Sequence, residues 1–333
     1  MKMKAPNRSI SALCVFCEAP LSDSALQLLE QGIASHELVF PRPVAGAVPA
    51  RTEPDPALRT ADVAFGQPDI VSVLQSEKLR WVQLTSAGYT RYDTADFRSW
   101  AKARGVIVTN SSSVYAEACA EHVFAFMLAQ ARLLPQGLGV RCESGSSEWT
   151  ELREGSVLLQ GQSAVILGFG AIATRLLQLL SPFEMKVIAM RRKPRGDEKV
   201  AVVTSNNLRD ALVAADHVIN ILPDNAESVG FISAERLGWM KPGAVFYNIG
   251  RGTTVDQQAL AEFLHSGHLR AAWLDVTDPE PLPDDHPLWK TPNCHITPHT
   301  AGGHQNESAT LVRHFLENFR RFLADMPLRD RIM

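Results

Sequence analysis

Short apolar runs alternate with amphipathic segments along most of this chain, and that alternation predicts an α/β protein. In the first third the runs are Leu13–Phe16, Leu38–Phe40, Val63–Phe65, Trp81–Leu84 and Val106–Val108. Each is short enough for a buried strand of a parallel sheet. Between several of them lie segments with helical spacing, Ser24–Glu30 and Thr94–Arg104. Together they predict one small doubly wound sheet. Pro41–Pro56 carries five prolines and little periodicity, and reads as a surface loop.

A long helical stretch follows, from about Val114 to Cys142, opened by the N-cap cluster Ser111-Ser112-Ser113. Its run Val123–Ala129 is too continuously apolar for a surface helix, and predicts burial between domains or subunits. Pro135 and Gly137 predict a kink or an end. A second α/β unit begins with strand Ala164–Leu167, helix Ala171–Leu180 and strand Lys186–Met190. Further strands are predicted at His217–Leu222, Val245–Ile249, Ala271–Asp275 and His295–Thr297. The last segment, Glu307–Ala324, is an amphipathic helix with Leu311, Phe315, Phe319 and Phe322 on one face.

Composition narrows the function classes. At 333 residues the chain exceeds one typical domain, so two are expected. A net charge of −3 gives no electrostatic case for nucleic acid or an anionic membrane. No apolar run is long enough to span a bilayer. The N-terminal residues Met1–Ile10 are basic, but the apolar run after them, Ala12–Phe16, is broken by Cys17, Glu18 and Pro20 and does not read as a signal-peptide core. The cysteines at 14, 17, 119, 142 and 294 are odd in number and scattered, which fits a reducing cytoplasm. Cys14 and Cys17 form a C-x-x-C on a predicted strand, where residues three apart face opposite sides. With no second pair to complete a zinc site, no metal site is predicted.

The candidate chemistry starts at Gly168-Phe169-Gly170-Ala171-Ile172-Ala173, a strand, a tight turn and a helix start that fit G-x-G-x-x-G/A. The first Gly permits the turn, and the second lets the backbone approach a pyrophosphate at the helix N-terminus. Ala173 is small enough for helix–strand packing. An NAD enzyme usually carries Asp or Glu at the end of the next strand. Here Lys186–Met190 is followed by Arg191-Arg192-Lys193, and Glu184 precedes the strand. Two guanidinium groups suit a 2′-phosphate, so NADP is favoured, with NAD possible. A solvated basic loop, or an Arg stacked on adenine in an enzyme taking both cofactors, is the alternative. Downstream, Arg251 in Asn248-Ile249-Gly250-Arg251-Gly252 follows a predicted strand, where a guanidinium can pair with a carboxylate. His299 follows another strand end and is suited to proton exchange. Glu280, in the proline-rich segment Asp278–Pro283, can orient one imidazole nitrogen.

The order of the glycine turn, N-x-x-R-G, D-x-E-P-L-P and T-P-H-x-A-G resembles the D-isomer-specific 2-hydroxyacid dehydrogenases. Ala120-Glu121-His122, Met240–Ala244 and Asn318–Phe322 add to the resemblance, which covers nearly the whole chain. It implies two doubly wound, parallel-sheet (Rossmann-like) domains that meet at a cleft, the cofactor domain inserted into the substrate domain. The substrate domain would be residues 1–112 and 299–333, and the dinucleotide-binding domain residues 113–298. The resemblance implies catalytic roles for Arg251, Glu280 and His299, and a carboxylate-holding loop at Ser86, Ala87 and Gly88. It also implies a cofactor site of Gly168, Phe169, Gly170, Ala171, Ile172, Arg191, Arg192, Leu222, Pro223, Ile249, Gly250 and Asp275. The implied reaction is hydride transfer between a nicotinamide cofactor and a small 2-oxoacid or D-2-hydroxyacid, as in glyoxylate or hydroxypyruvate reductases. The apolar run Val123–Ala129 further predicts a homodimer joined through the long helix and the segment to Trp149, in the cytoplasm that the cysteines suggest. Phosphite dehydrogenases of the family have Lys where this chain has Ala87, and formate dehydrogenases have Gln where it has Glu280, so both are disfavoured. Asp224 and Asn225 depart from the family's P-L-T-x-x-T run near the nicotinamide. A nucleotide-sensing, corepressor-like binding protein of the same fold is the alternative.

Overall fold

The computed structural model describes residues 12–42, 55–196 and 198–333. Met1–Ile10 and most of the Pro41–Pro56 loop lie outside the described residues. The chain forms two compact units: Met1–Val114 with His304–Met333, and Tyr115–Gly303.

The first unit is built on a five-stranded, fully parallel sheet ordered β2-β1-β3-β4-β5. Its strands are β1 Cys14–Cys17, β2 Glu37–Val39, β3 Val63–Gly66, β4 Trp81–Leu84 and β5 Ile107–Thr109. That is a flavodoxin-like doubly wound order. The helix Glu307–Leu323 supplies much of its core: the Phe315 ring stacks on Phe65 at 4.5 Å and on Trp81 at 5.1 Å. Leu311, Phe315 and Phe319 are buried, while Phe322 is half-buried at the end of the same face.

The second unit holds a seven-stranded parallel sheet ordered β12-β11-β10-β9-β6-β7-β8. Its strands are β6 Ser163–Leu167, β7 Lys186–Met190, β8 Ala201–Val203, β9 His217–Asn220, β10 Val245–Asn248, β11 Ala271–Leu274 and β12 Cys294–Ile296. Counted from β6, the first six strands follow the Rossmann order 3-2-1-4-5-6. The topological switch point therefore lies between β6 and β9, where dinucleotides bind in such sheets. Alternating residues feed the two faces. Val165 and Leu167 join a core with Phe246 and Leu260, while Ala164 and Ile166 join another with Leu176 and Tyr247.

Two sequence expectations change. The long helix runs Ser112–Ala131 and stops well short of Cys142. Leu133 takes a left-handed backbone (φ 52°), and Pro135 then sits in the first turn of the short helix Leu134–Gly137. Val123, Phe126 and Met127 are buried in the second unit's own core, so its own packing accounts for the most apolar part of that helix. The helices Ser147–Gly155, Leu208–Ala214, Ala234–Trp239 and Gln257–His265 and the edge strand β8 were not legible in the pattern. Among the described residues, no helix is long and apolar enough to cross a membrane.

Candidate active site

The glycine turn sits at the switch point. Gly168 has φ +99°, and a Cβ there would lie 3.1 Å from the Ile221 carbonyl oxygen, so both backbone and space demand glycine. Gly170 caps the helix Ala171–Leu180, and a Cβ on it would meet open space. That is the side on which a pyrophosphate can reach the helix N-terminus. Ala173 is fully buried between helix and sheet, where a larger side chain would push them apart.

Arg251 follows β10, and its backbone is fixed by buried polar side chains. The Asn220 amide donates to Asn248 Oδ1 (3.0 Å) and Thr254 Oγ1 (2.7 Å). Asn248 Nδ2 and Thr254 Oγ1 in turn donate to the Arg251 carbonyl, at 3.1 and 2.6 Å. The guanidinium is half-buried, with Nη1 on the Gly250 carbonyl at 2.6 Å. The glycines on either side set its surroundings. A Cβ on Gly250 would lie 2.6 Å from the Leu222 oxygen, and one on Gly252 only 2.0 Å from the Thr277 carbonyl carbon. Gly250 is thereby packed on the Leu222 backbone, and the Arg251 loop is placed beside the segment leading to Glu280. Asn220, Asn248 and Thr254 had no sequence role. The available signal was an asparagine closing each of two buried strands.

His299 and Glu280 are joined directly: the imidazole Nδ1 and a Glu280 carboxylate oxygen are hydrogen-bonded. His299 has φ +51°, an uncommon conformation for a residue with a side chain. It is over-determined from below. The Asp275 carboxylate accepts the Thr297 hydroxyl (2.6 Å), the Thr300 amide (2.9 Å) and the Ala301 amide (3.0 Å). His122 Nε2, on the long helix, lies 3.3 Å from Thr297 Oγ1 and 3.6 Å from Asp275 Oδ1. Burial lowers the His122 pKa, with Asp275 opposing that shift. Burial, reinforced by Asp275, pushes the nearby Cys119 thiol up to about 12, so it stays protonated and is no nucleophile. The Asp275 side chain is itself buried, its oxygens taken by the histidine loop.

Arg191 and Arg192 separate in environment. Arg191 Nη1 meets Glu198 Oε1 at 3.1 Å, whereas Arg192 pairs with Glu227 in solvent. Asp224 accepts the Thr253 hydroxyl at 3.0 Å, so this departure from the family run is tied to the Arg251 loop. Asn225 caps the Glu227 amide, and Pro223 accepts the Ser228 hydroxyl. In the first unit, the Ser86, Ala87 and Gly88 carbonyls accept from the Ser111 amide, Asn110 Nδ2 and Ser86 Oγ.

Residues 124–301 match the D-isomer specific 2-hydroxyacid dehydrogenase, NAD binding domain family. This chain belongs to that family. As a D-isomer specific 2-hydroxyacid dehydrogenase it is a hydride-transfer oxidoreductase acting on small 2-oxoacids or 2-hydroxyacids, and the corepressor alternative is not favoured. It is 33% identical to a glyoxylate reductase of Aeropyrum pernix, over 74% of this chain and 74% of that one. It is also 33% identical to glyoxylate/hydroxypyruvate reductase B of Citrobacter koseri, over 73% and 75%. A D-isomer specific 2-hydroxyacid dehydrogenase from Xanthobacter autotrophicus Py2, solved with NADPH and MES, superposes with a TM-score of 0.77 at 25% identity. That match covers 97% of this chain and 98% of the other.

Proposed function

We propose that this dehydrogenase reduces small 2-oxoacids of the glyoxylate and hydroxypyruvate class, using NADPH in preference to NADH. The observation that carries this reading is the His299–Glu280 pair, in the loops after β12 and β11 of a Rossmann sheet, together with Arg251 held by its backbone in the loop after β10. The turn at Gly168 and the open approach to Gly170 fit a dinucleotide pyrophosphate. Gly168 to Ile172 would hold it, and Leu222, Pro223, Ile249, Gly250 and Asp275 are assigned to the nicotinamide end. The cofactor supplies the hydride when bound.

The rest of the chemistry falls to the chain. Arg251 binds the substrate carboxylate through its planar fork. The Ser86–Gly88 loop, with its carbonyls turned to protein donors, offers backbone amides as an anion nest. Glu280 holds His299 Nδ1, which makes Nε2 the atom that exchanges a proton. In reduction Nε2 donates to the keto oxygen, and in oxidation it accepts from the hydroxyl. Arg191 and Arg192 support the NADPH preference because no acid follows β7 directly.

The segment after the long helix supports a homodimer. Leu134, Leu138, Val140 and Leu158 are exposed there, Leu138 to 78%. A second copy is the proposed cover, and sedimentation at micromolar concentration tests it: a monomer removes this part. Cysteines that form no pair suit a cytoplasmic location.

The main test is oxidation of NADPH and NADH with a panel of 2-oxoacids. We expect a higher kcat/KM with NADPH, and glyoxylate or hydroxypyruvate among the best substrates. His299→Ala should lose roughly 100- to 10,000-fold in kcat and still bind dinucleotide. A better kcat/KM with NADH overturns the cofactor reading, and no turnover of any 2-oxoacid overturns the substrate reading.

A further inference from the structure

Arg191 is held from three sides. Its amide donates to the Val203 carbonyl at 2.9 Å, which ties the residue to the end of β8. Its guanidinium carbon lies 6.0 Å from the ring centre of Phe169, the middle residue of the glycine turn. Its Nη1 bonds Glu198 Oε1 at 3.1 Å. Glu198 is more than a counter-charge. The same carboxylate accepts the Arg195 amide at 2.8 Å and the Gly196 amide at 2.8 Å, so one side chain closes the loop after β7 and grips the arginine. Those backbone bonds, the Arg195 amide foremost, bring its pKa down to about 2, so it is ionised at any working pH.

Exposure separates this pair from its neighbour. The Arg191 and Glu198 side chains are 19% and 4% exposed, against 71% and 65% for Arg192 and Glu227. Exposed pairs fix little. A guanidinium gripped at one nitrogen is fixed in plane and direction, and a fixed fork loses less freedom when it takes a phosphate. Glu198 does not replace the ribose-binding acid of NAD enzymes. A ribose hydroxyl needs an accessible carboxylate, and this one is covered and spent on three donors.

We propose that Glu198 is a positioning residue that sets selectivity for the 2′-phosphorylated dinucleotide. It aims the Arg191 guanidinium, beside the glycine turn, at the 2′-phosphate. This rests on the reading of Arg191 as a 2′-phosphate partner.

The test compares two nucleotides that differ only in that group, 2′,5′-ADP and 5′-AMP, by calorimetry on the full chain. Wild type should bind 2′,5′-ADP at least tenfold more tightly than 5′-AMP. In Glu198→Gln that ratio should fall at least fivefold while 5′-AMP affinity stays within twofold. Arg191→Gln should lose the ratio similarly, and the double variant should lose no more than either single, because both act on one contact. Equal loss of both nucleotides in Glu198→Gln would mean that the acid only holds the loop together, and would overturn the proposal. So would an unchanged ratio, or losses that add in the double variant. A wild-type ratio near one would instead overturn the NADP reading beneath it.

Discussion

The backbone amide of His299 donates to the carbonyl oxygen of Asp275 at 2.9 Å, across 24 residues of sequence. The side chain of the same aspartate takes the amides of Thr300 and Ala301. The histidine proposed to exchange the proton therefore stands on a turn hung from one buried carboxylate, and its left-handed backbone is held by that support.

Asp275→Asn follows from this. An amide keeps one acceptor oxygen and places an NH2 where the carboxylate accepted an N–H, so one of the two backbone amides meets a donor. We expect kcat to fall by roughly 10- to 100-fold, the size of effect that small misplacement of a catalytic group produces. Dinucleotide affinity should stay within twofold if the side chain acts through the loop. A weakened dinucleotide with unchanged kcat would return Asp275 to a purely cofactor-binding role.

Glu280→Gln probes the other support of His299. The neutral amide keeps the shape but can present its NH2 to Nδ1, which favours the wrong ring orientation or tautomer. We expect kcat to drop by roughly 100-fold or more, with KM for the 2-oxoacid changed little, since the carboxylate contact proposed for Arg251 is untouched. Equal pre-steady-state rates of NADPH oxidation in variant and wild type would remove Glu280 from the chemistry.

Local signals carried the strands and the nucleotide turn. The ends of β7 and the fit of Gly168–Ala173 could be read from sequence because periodicity and turn chemistry act within a few residues. The supports around the candidate site could not. Asn220 and Asn248 meet only because β9 and β10 are neighbours in register, and Asp275 meets Thr300 only after β11 and β12 have paired. Pro135 and Gly137 announced a break in the long helix, but its last residue, Ala131, was not legible: the left-handed Leu133 carries no glycine or asparagine to mark it. Glu198 reaches Arg191 through loop geometry that no spacing rule describes.

A pH effect on stability follows from His217. This side chain is buried between the Tyr247 hydroxyl at Nδ1 (3.0 Å) and Gln162 Oε1 at Nε2 (2.6 Å). Two neutral partners suit a neutral ring, and burial lowers its pKa from 6.5 to about 4. A depressed histidine pKa means that the unfolded chain binds the proton more readily. Its contribution is thus fully present above pH 6.5 and is lost as pH falls from 6.5 towards 4. The loss is on the order of a few kcal/mol, at about 1.4 kcal/mol per unit. Urea unfolding should show wild type losing its advantage over His217→Gln across that window. A constant difference between the two from pH 7 to 4 would show that His217 is not buried neutral.

Gly252→Ala tests whether the position of Arg251 depends on backbone contact between the loops after β10 and β11. The added methyl would overlap the Thr277 carbonyl carbon at 2.0 Å, with the Asp278 amide nitrogen at 2.5 Å, and neither is a side chain that can rotate away. One loop must move. The Asn220–Asn248–Thr254 network resists on one side, and Gln257, bonded to the Asp278 backbone, resists on the other. The contact is buried and adjoins Val255 and Leu282 of the second unit's core, so the variant should lose stability, by about 1–3 kcal/mol of overpacking and a Tm lowered by a few degrees. Activity should suffer more. A guanidinium displaced by even 1 Å from the substrate carboxylate costs on the order of 100-fold in kcat/KM, mostly through KM. Gly252→Ser should behave the same way, because the clash begins at Cβ. A Gly252→Ala enzyme with kcat/KM within twofold of wild type would show that the two loops move freely and that Arg251 is placed by something else.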